Sequence, residues 1–228
     1  MQLDVTANVL TGDLNLARRQ IELARESKLL PAIQIDIVDG VFADTHTFTP
    51  QDLVDIDFGE LQIDFHLMTE EPMDYVWEME EYCRHLPIRS VFGQIEKMSY
   101  QEAFLEEVKK QDWRAGLALD LYTPLEAIDD NSWDWMDALL LLGAPAGESG
   151  QELNPLIFEK IQAAREKILK GEPMRIFVDC GVNKDNVAKL QRAGVDSVTA
   201  NSAFNQAPNY KQAVEEFLSK LLPTQEMS

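Results

Sequence analysis

Two aspartates of this sequence lie within or directly after apolar runs. Asp36 interrupts the run Ala32–Val38, and Asp179 directly follows the run Arg175–Val178. An unpaired carboxylate in such a position costs several kcal/mol, so each aspartate must have a partner. A salt bridge or a turn cap would provide one. The matched placement favours metal binding or proton transfer instead, because two carboxylates beside one substrate can act as a base on one face and an acid on the other.

A histidine and several polar loops add candidate groups. His66 lies at the end of a third apolar run. A lone histidine is commonly structural. For a histidine placed at strand ends with two aspartates, a structural role and a role as metal ligand or proton carrier are equally expected. The loop 147–151 is the richest in glycine, and small residues let backbone N–H groups approach a ligand closely. The segments 179–183 and 201–202 each precede a helical pattern, whose first N–H groups can bind phosphate.

Eight short apolar runs alternate with amphipathic stretches, and these elements must position the candidate groups. Several runs are apolar nearly throughout, which indicates strands buried on both faces. The predicted strands are Leu3–Val9, Ala32–Val38, Leu61–Leu67, Ile88–Gln94, Arg114–Leu119, Asp137–Leu142, Arg175–Val178 and Ser197–Ala200. Helices are predicted from apolar residues at steps of three and four: Leu14, Ala17, Ile21 and Ala24; Leu153, Ile157, Ile161, Ala164 and Ile168; Val187, Leu190 and Ala193; Ala213, Phe217 and Leu221. The predicted caps are Thr11 and Asn183 at N-termini and Gly194 at a C-terminus.

This alternation predicts an α/β fold, namely a (β/α)₈ TIM barrel that forms a single domain over residues 1–228. A doubly wound open sheet is the alternative. That fold usually has fewer strands and a glycine-rich first turn, whereas the turn after the first run contains one glycine. In a barrel the carboxyl ends of the strands form one face, so Asp36, His66 and Asp179 would meet there.

The charge and composition exclude several classes of function. The 228 residues include 20 Lys and Arg against 40 Asp and Glu, which is a formal net charge of −20. Binding of nucleic acid or of an anionic membrane needs a basic surface, so neither partner is expected. No apolar run approaches the roughly 20 residues that span a bilayer. The N-terminus lacks the basic start of a secretory signal, and with two cysteines the chain is expected to be cytoplasmic with free thiols.

The candidate residues lie in motifs that resemble those of the ribulose-phosphate 3-epimerase family. The matching runs follow the family's order and spacing over nearly the whole chain, and they are specific in combination. They are Ile35–Gly40 with Phe42 and Thr47–Pro50; Asp64–Met68 with Pro72; Ala115–Leu119 with Thr123 and Pro124; Ser149–Gln151; Val178–Asn183; Ala193–Asp196; and Ser202 with Ala203.

The resemblance implies a barrel of the ribulose-phosphate-binding type that interconverts ribulose 5-phosphate and xylulose 5-phosphate. In that family two aspartates, here Asp36 and Asp179, move the C3 proton through an enediolate. A divalent metal ion, Zn or Fe, holds the C2 and C3 oxygens. Its ligands here would be Gln34, Asp36, His66 and Asp179. Residues expected to contact the phosphorylated ketose are Asn8, Met68, Gly147, Gly150, Gly181, Asn201 and Ser202. The resemblance also suggests a homo-oligomer.

Several positions depart from the family pattern. Gln34 and Gln94 stand where the family has histidine, and Asn8 aligns with a serine. Cys180 and Asn201 replace glycines of the phosphate site. These departures leave two alternatives open. One is a barrel that binds a sugar phosphate or a partner without epimerising it, and the other is an epimerase for another ketose phosphate.

Overall fold

Eight parallel strands pair in chain order, and the first strand closes the barrel against the last. The structure, a computed structural model, describes residues 3–146, 150–168 and 174–223. The strands are β1 (Asp4–Val9), β2 (Ala32–Val38), β3 (Gln62–Met68), β4 (Ile88–Gln94), β5 (Arg114–Leu119), β6 (Ala138–Leu142), β7 (Arg175–Asp179) and β8 (Ser197–Ala200). Each bound lies within one residue of its prediction. The barrel prediction is therefore confirmed.

Helices cover the outside of the barrel, although not after every strand. They are α1 (Leu14–Ser27), α2 (Pro72–Tyr82), α3 (Gln101–Lys110), α4 (Leu156–Ile168), α5 (Val187–Arg192), α6 (Ser202–Asn205) and α7 (Tyr210–Leu218). The connections β2–β3 and β5–β6, both fully described, contain short 3₁₀ segments and no α-helix. Both connections are rich in aspartate and contain proline, residues that favour turns over helix interiors. The predicted strand–helix alternation is therefore incomplete at these two places.

The start of α1 differs from its prediction. The side-chain Oδ1 of Asp13 accepts hydrogen bonds from the backbone N–H groups of Asn15 and Leu16, so Asp13 is the N-cap. Thr11, the predicted cap, instead accepts a hydrogen bond from the backbone N–H of Asp13. An aspartate two residues nearer the helix reaches its free N–H groups directly, which is why it takes this position.

Two other helix starts also lie later than predicted. Asn183 caps the turn that precedes α5, because its Oδ1 accepts from the N–H groups of Asp185 and Asn186. Leu153 lies outside α4, which begins immediately after Pro155. Proline suits the entry to a helix but not its interior. By contrast, Gly194 follows α5 at φ +92°, as predicted for a C-cap glycine.

The barrel interior has an apolar side and a polar side. Its apolar side is formed by residues of β4–β7: Phe92, Ala118, Ala138, Leu140, Leu142 and Phe177. The rings of Phe92 and Phe177 lie 4.9 Å apart at their centroids. Gly116 makes this packing possible, because a β-carbon there would lie 2.4 Å from the Phe92 ring. The remaining strands contribute buried polar side chains: Thr6, Asn8, Gln34, Asp36, His66 and Thr199. The polar groups are thus concentrated on β1–β3 and β8, and Gln94 and Asp179 add buried polar groups at the carboxyl ends of β4 and β7.

Two further findings concern the chain as a whole. Among the described helices, none combines the length and the apolar character needed to cross a membrane. Cys83 and Cys180 are both free, in agreement with the prediction of free thiols. Cys83 is buried in the core, whereas Cys180 lies at the carboxyl end of the barrel.

Candidate functional site

Three strands bring the predicted acidic and histidine side chains together. Asp36 on β2 pairs in register with His66 on β3, and Asp179 ends β7. The residues Asp36, His66 and Asp179 are 3%, 1% and 5% exposed. One potential ligand atom from each lies within 4.8 Å of the other two. The sequence-based expectation that these groups meet at one face is met by the geometry.

Gln34 lies between the two carboxylates. Its Nε2 donates to Asp36 Oδ1 at 2.9 Å and to Asp179 Oδ2 at 2.6 Å, so both amide hydrogens are used. Its Oε1 accepts a hydrogen bond from the hydroxyl of Thr199 at 2.8 Å. The nitrogen, and not the oxygen, therefore faces the centre. For Gln34 to serve as a metal ligand its amide must turn by 180°, which exchanges the two atoms.

A chain of three asparagines supports Asp36 from the other side. Asn8 Nδ2 donates to Asp36 Oδ2 at 2.8 Å, and Asn8 Oδ1 accepts from Asn201 Nδ2 at 2.9 Å. Asn205 on α6 donates to the Asn201 side chain and to the backbone carbonyl of Asn8. Both oxygens of Asp36 therefore accept hydrogen bonds, and its carboxylate plane is held in one orientation.

His66 has a partner at each ring nitrogen. Its Nδ1 lies 3.2 Å from Asp36 Oδ1, and its Nε2 lies 2.8 Å from Gln94 Oε1. Burial lowers the pKa of this imidazole, but the hydrogen bond and charge of Asp36, together with the contacts of Gln94 and the charge of Asp179, outweigh burial and raise the pKa overall. Burial and the charge of Asp36 also raise the pKa of Asp179 to about 7. Asp179 can therefore carry a proton near neutral pH.

A pocket of about 390 Å³, which includes space open to solvent, lies at the carboxyl ends of the strands above this centre. Its lining includes the predicted substrate residues Asn8, Gly150, Gly181, Asn201 and Ser202, together with Asp36, Asp179 and Cys180. Met68, also predicted to contact substrate, is buried at the end of β3 and does not line this pocket. Gly147 lies outside the described residues.

The loop after β7 has an unusual backbone. Cys180 and Gly181 have φ values of +67° and +75°, in the left-handed region. A β-carbon at Gly181 would lie 2.3 Å from the backbone nitrogen of Leu153, so packing by itself requires glycine there. The Cys180 N–H donates to Asp179 Oδ1 at 2.6 Å, which orients the carboxylate. A non-glycine residue in this region costs about 1–2 kcal/mol.

Three contributors to the centre were missing from the predicted set. Gln94 ends β4 as His66 nears the end of β3, and it holds the imidazole. Thr199 is a polar residue between apolar neighbours in β8, which is the same signal that marked Asp36. Asn205 follows Asn201 by four residues, so both lie on one side of a helical turn. Placement on a shared face could have identified all three, but not their partners.

The cluster of Asp36, His66 and Asp179 suits a divalent cation. Of the ion pairs between described residues, Asp36 takes part only in the one with His66, and Asp179 takes part in none. Two buried carboxylates thus lack a lysine or arginine partner, and such a pair needs a cation or a proton. An imidazole nitrogen with two carboxylate oxygens is a donor set that zinc and iron accept.

Comparisons with known proteins agree with this geometry. The sequence profile of the ribulose-phosphate 3 epimerase family matches residues 4–205. The ribulose-phosphate 3-epimerase of Escherichia coli (strain K12) is 28% identical over 192 residues, which is 83% of each chain. That of Buchnera aphidicola subsp. Baizongia pistaciae (strain Bp) is 30% identical over 190 residues, or 81% of each chain. The Methanocaldococcus jannaschii enzyme of the same name is 27% identical over 221 residues, covering 93% of this chain and 88% of its own.

Solved structures support the fold. A 3-hexulose-6-phosphate synthase superposes with a TM-score of 0.65 at 12% identity, covering 97% of this chain and 100% of its own. Orotidine 5'-phosphate decarboxylase from Pyrococcus horikoshii OT3 gives 0.64 at 11% identity, with 95% and 98% coverage. At these identities the likeness shows only a shared barrel. The match of the family profile across most of the sequence, with three buried polar groups at the expected strand ends, is more specific: the chain belongs to the ribulose-phosphate 3-epimerase family.

Proposed function

We propose that the protein interconverts ribulose 5-phosphate and xylulose 5-phosphate, with one aspartate removing the C3 proton from one face and a second, protonated aspartate donating its own proton to the opposite face. One observation carries this proposal. Asp36 and Asp179 are buried carboxylates on different strands, bridged by the single amide nitrogen of Gln34, and both line the pocket at the barrel mouth. Two-sided proton exchange at one carbon needs such a pair. The named relatives are epimerases, so the class of reaction agrees with the arrangement.

The two aspartates have different surroundings, which suits them to different steps. The C3 hydrogen of the ketose is acidic because it lies next to the C2 carbonyl. Asp36, oriented by hydrogen bonds from Asn8 and Gln34, would remove this proton from one face. Asp179, whose pKa is raised to about 7, would return a proton to the opposite face. In the reverse direction the two residues exchange roles.

The residues that would hold a divalent cation, Zn or Fe, are Asp36, His66 and Asp179. When bound there, the ion would stabilise negative charge on the C2 and C3 oxygens of the enediolate. Gln34 would add a carbonyl ligand only when its amide is turned, because in the observed orientation both of its N–H groups are bound to the aspartates. The hydroxyl of Thr199 can donate or accept, so it can pair with either orientation.

The phosphate group would be bound in the same pocket, at the loops that follow β6, β7 and β8. Gly150 and Gly181 bring backbone close to this space, and Ser202 adds a hydroxyl. A protein with a net charge of −20 offers little long-range attraction for a sugar phosphate, so short-range N–H and O–H donors must bind it. Asn201, which stands where the family has glycine, lines the same pocket and donates a hydrogen bond to Asn8.

The proposal is tested by proton exchange at C3. Either epimer is incubated with the protein in D₂O, and loss of the C3 proton signal and appearance of the other epimer are followed by NMR. Asp36→Asn and Asp179→Asn are each expected to slow interconversion by about 10²–10⁴-fold. Asp137→Asn, the same change at the opposite end of the barrel, serves as the matched control. Wild-type protein, loaded with Zn²⁺ or Fe²⁺, that exchanges no proton in either epimer contradicts the proposal.

A barrel that binds a sugar phosphate without turnover is the second candidate. One observation favours it: Gln34 presents its amide nitrogen, not a ligand atom, to the two carboxylates. It would be supported by a higher melting temperature with ribulose 5-phosphate but no C3 exchange, because ligand binding stabilises the native state. Exchange with a six-carbon ketose phosphate alone would instead indicate another substrate.

A further inference from the structure

Gln94 contacts the His66 ring on the side away from Asp36. Its Oε1 lies 2.8 Å from Nε2 of the imidazole, and Gln94 is 0% exposed. An amide oxygen has lone pairs and no proton, so it can only accept a hydrogen bond. For this contact to be a hydrogen bond, Nε2 of His66 must carry the proton. Because both side chains are buried, water cannot readily replace this acceptor.

The state of Nε2 decides what the other ring nitrogen can do. A neutral imidazole carries one proton, so a proton on Nε2 leaves a lone pair on Nδ1. In the protonated ring Nδ1 donates to Asp36 Oδ1, whereas in the neutral ring with its proton on Nε2 the lone pair of Nδ1 faces this oxygen at 3.2 Å. Two lone-pair atoms that face each other are stabilised by a cation between them. The other tautomer would place the proton on Nδ1, bond it to Asp36, and remove the lone pair from the cluster.

The remaining contacts of Gln94 give it no evident role in stability. Its Nε2 is buried and has no hydrogen-bond partner within the part of the chain that the structure describes. A buried donor without a partner costs stability, and this cost offsets the gain from the bond to His66. An apolar side chain of the same length would avoid that cost. These contacts favour a role of Gln94 in orienting His66 over a role in stabilising the fold.

We propose that Gln94 is a positioning residue that keeps the proton of His66 on Nε2, so that Nδ1 remains free to bind a metal ion with Asp36 and Asp179. The proposal deepens the function proposed above and rests on its metal-binding step. Outer partners of this kind commonly change metal affinity by about 10–100-fold when removed, because they set the tautomer and orientation of the ligand.

The first experiment measures metal affinity, with Zn²⁺ and Co²⁺ as probes in competition with a chelator. Gln94→Met removes the acceptor at nearly constant length, and we expect affinity to fall by about 10–100-fold. We expect Gln94→Glu, which keeps an acceptor, to bind at least as tightly as wild type. Gln101→Met is the matched control, because Gln101 is another buried glutamine whose partners, Ala127 and Asp129, lie outside the centre. Unchanged affinity in Gln94→Met overturns the proposal.

The second experiment reads the ring protons directly and needs neither metal nor turnover. With three histidines in the chain, ¹⁵N spectra of the rings are simple, and the His66 signals are those missing from His66→Gln. In metal-free protein, at a pH above the point where the same spectra show the His66 ring losing its first proton, we expect a proton on Nε2 in wild type and on Nδ1 in Gln94→Met. The same protonation pattern in both proteins overturns the proposal. If wild type binds no metal, the proposed function fails while this measurement still decides the role of Gln94.

The stability of Gln94→Met separates positioning from a structural role. Since the glutamine leaves one buried donor unpaired, we expect the methionine variant to melt at or above the wild-type temperature. A large fall in melting temperature accompanied by lower metal affinity would indicate that Gln94 acts only through the fold, and would overturn the proposal. We expect a melting temperature that is unchanged or higher, together with a reduced affinity for the metal ion.

Discussion

Side-chain amides, at the scale of single residues, position the acids and the imidazole of the centre. Gln34 donates to both aspartates, Asn8 donates to one of them, and Gln94 accepts from His66. An amide carries its donor and acceptor on one rigid plane, so the position of one atom dictates the position of the other. Which atom each amide turns toward the acids or the imidazole therefore affects how this site can hold a proton or a metal ion.

Substitution of Thr199 tests how much its hydrogen bond to the Gln34 amide contributes to stability. Thr199→Val removes the hydroxyl that donates to Gln34 Oε1 while it keeps the shape of the side chain. A buried carbonyl left without a donor costs about 1–3 kcal/mol, so the free energy of unfolding in urea should fall by that amount. Thr199→Ser keeps the hydroxyl and should lose less than about 1 kcal/mol. Equal losses would show that the methyl group, not the hydroxyl, is important.

Asp39 should make the stability of the loop after β2 depend on pH. Its Oδ1 accepts from the N–H groups of Val41 and Phe42, and its Oδ2 accepts from that of Glu70. Burial raises the pKa of this carboxyl, but the backbone donors outweigh burial and lower the pKa overall.

A lowered pKa in the folded state means that the charged carboxylate stabilises the fold at pH values above its ordinary pKa of 3.8. This contribution is lost as the pH falls through the folded-state pKa. Asp39→Asn should therefore lower the melting temperature at pH 7 and have a smaller effect at pH 3, which lies below the ordinary pKa of this carboxyl. Thermal unfolding of both proteins at the two pH values is the measurement. An equal difference at both would contradict the assignment.

At the scale of secondary-structure elements, local sequence patterns predict helices and strands wherever the residues of a segment are uniformly buried. Alternate residues of a strand lie on one face, so Gln34 and Asp36 of β2 share a face, and both side chains belong to the hydrogen-bond network inside the barrel. The connections β2–β3 and β5–β6 are less regular, because their aspartates and prolines form turns whose geometry depends on the strands they join. Element type could thus be predicted for strands better than for these connections.

The cap of α1 gives a test at this scale. Asp13→Ala removes the acceptor of two backbone N–H groups and should lower the free energy of unfolding by about 1 kcal/mol. Thr11→Ala removes an acceptor that bonds only one N–H outside the helix, so its effect should be smaller. Urea denaturation of the two variants compares them directly. A larger loss of unfolding free energy in Thr11→Ala than in Asp13→Ala would indicate that Thr11 is the effective cap.

The field of the whole molecule opposes the proposed substrate. With a net charge of −20, the protein repels a sugar phosphate at distances beyond its short-range donors. Salt shortens the range of this repulsion, since the Debye length falls from about 30 Å at 0.01 M to about 8 Å at 0.15 M. For ribulose 5-phosphate, kcat/KM should therefore rise with ionic strength while kcat stays nearly constant.

Initial rates over a series of KCl concentrations test this expectation. The metal ion must be saturating throughout, so that salt acts on the encounter with substrate and not on metal occupancy. A fall in kcat/KM with added salt would contradict the prediction, because it would mean that local attraction at the barrel mouth dominates the field of the molecule.

The sequence by itself determined the eight strands, the barrel, and the three groups most able to do chemistry, Asp36, His66 and Asp179. These conclusions rest on local physics: strand burial gives uninterrupted apolar runs, and a charge inside such a run needs a partner. Family resemblance added the type of reaction.

Only the tertiary structure decided which atoms meet. Gln34 is separated by 145 positions from Asp179 and by 165 from Thr199, and His66 by 28 from Gln94. No local pattern encodes whether an amide turns its oxygen or its nitrogen toward a carboxylate. That choice depends on donors and acceptors which barrel closure brings together from strands far apart in the chain, and it decides how the centre is prepared for a proton or a metal ion.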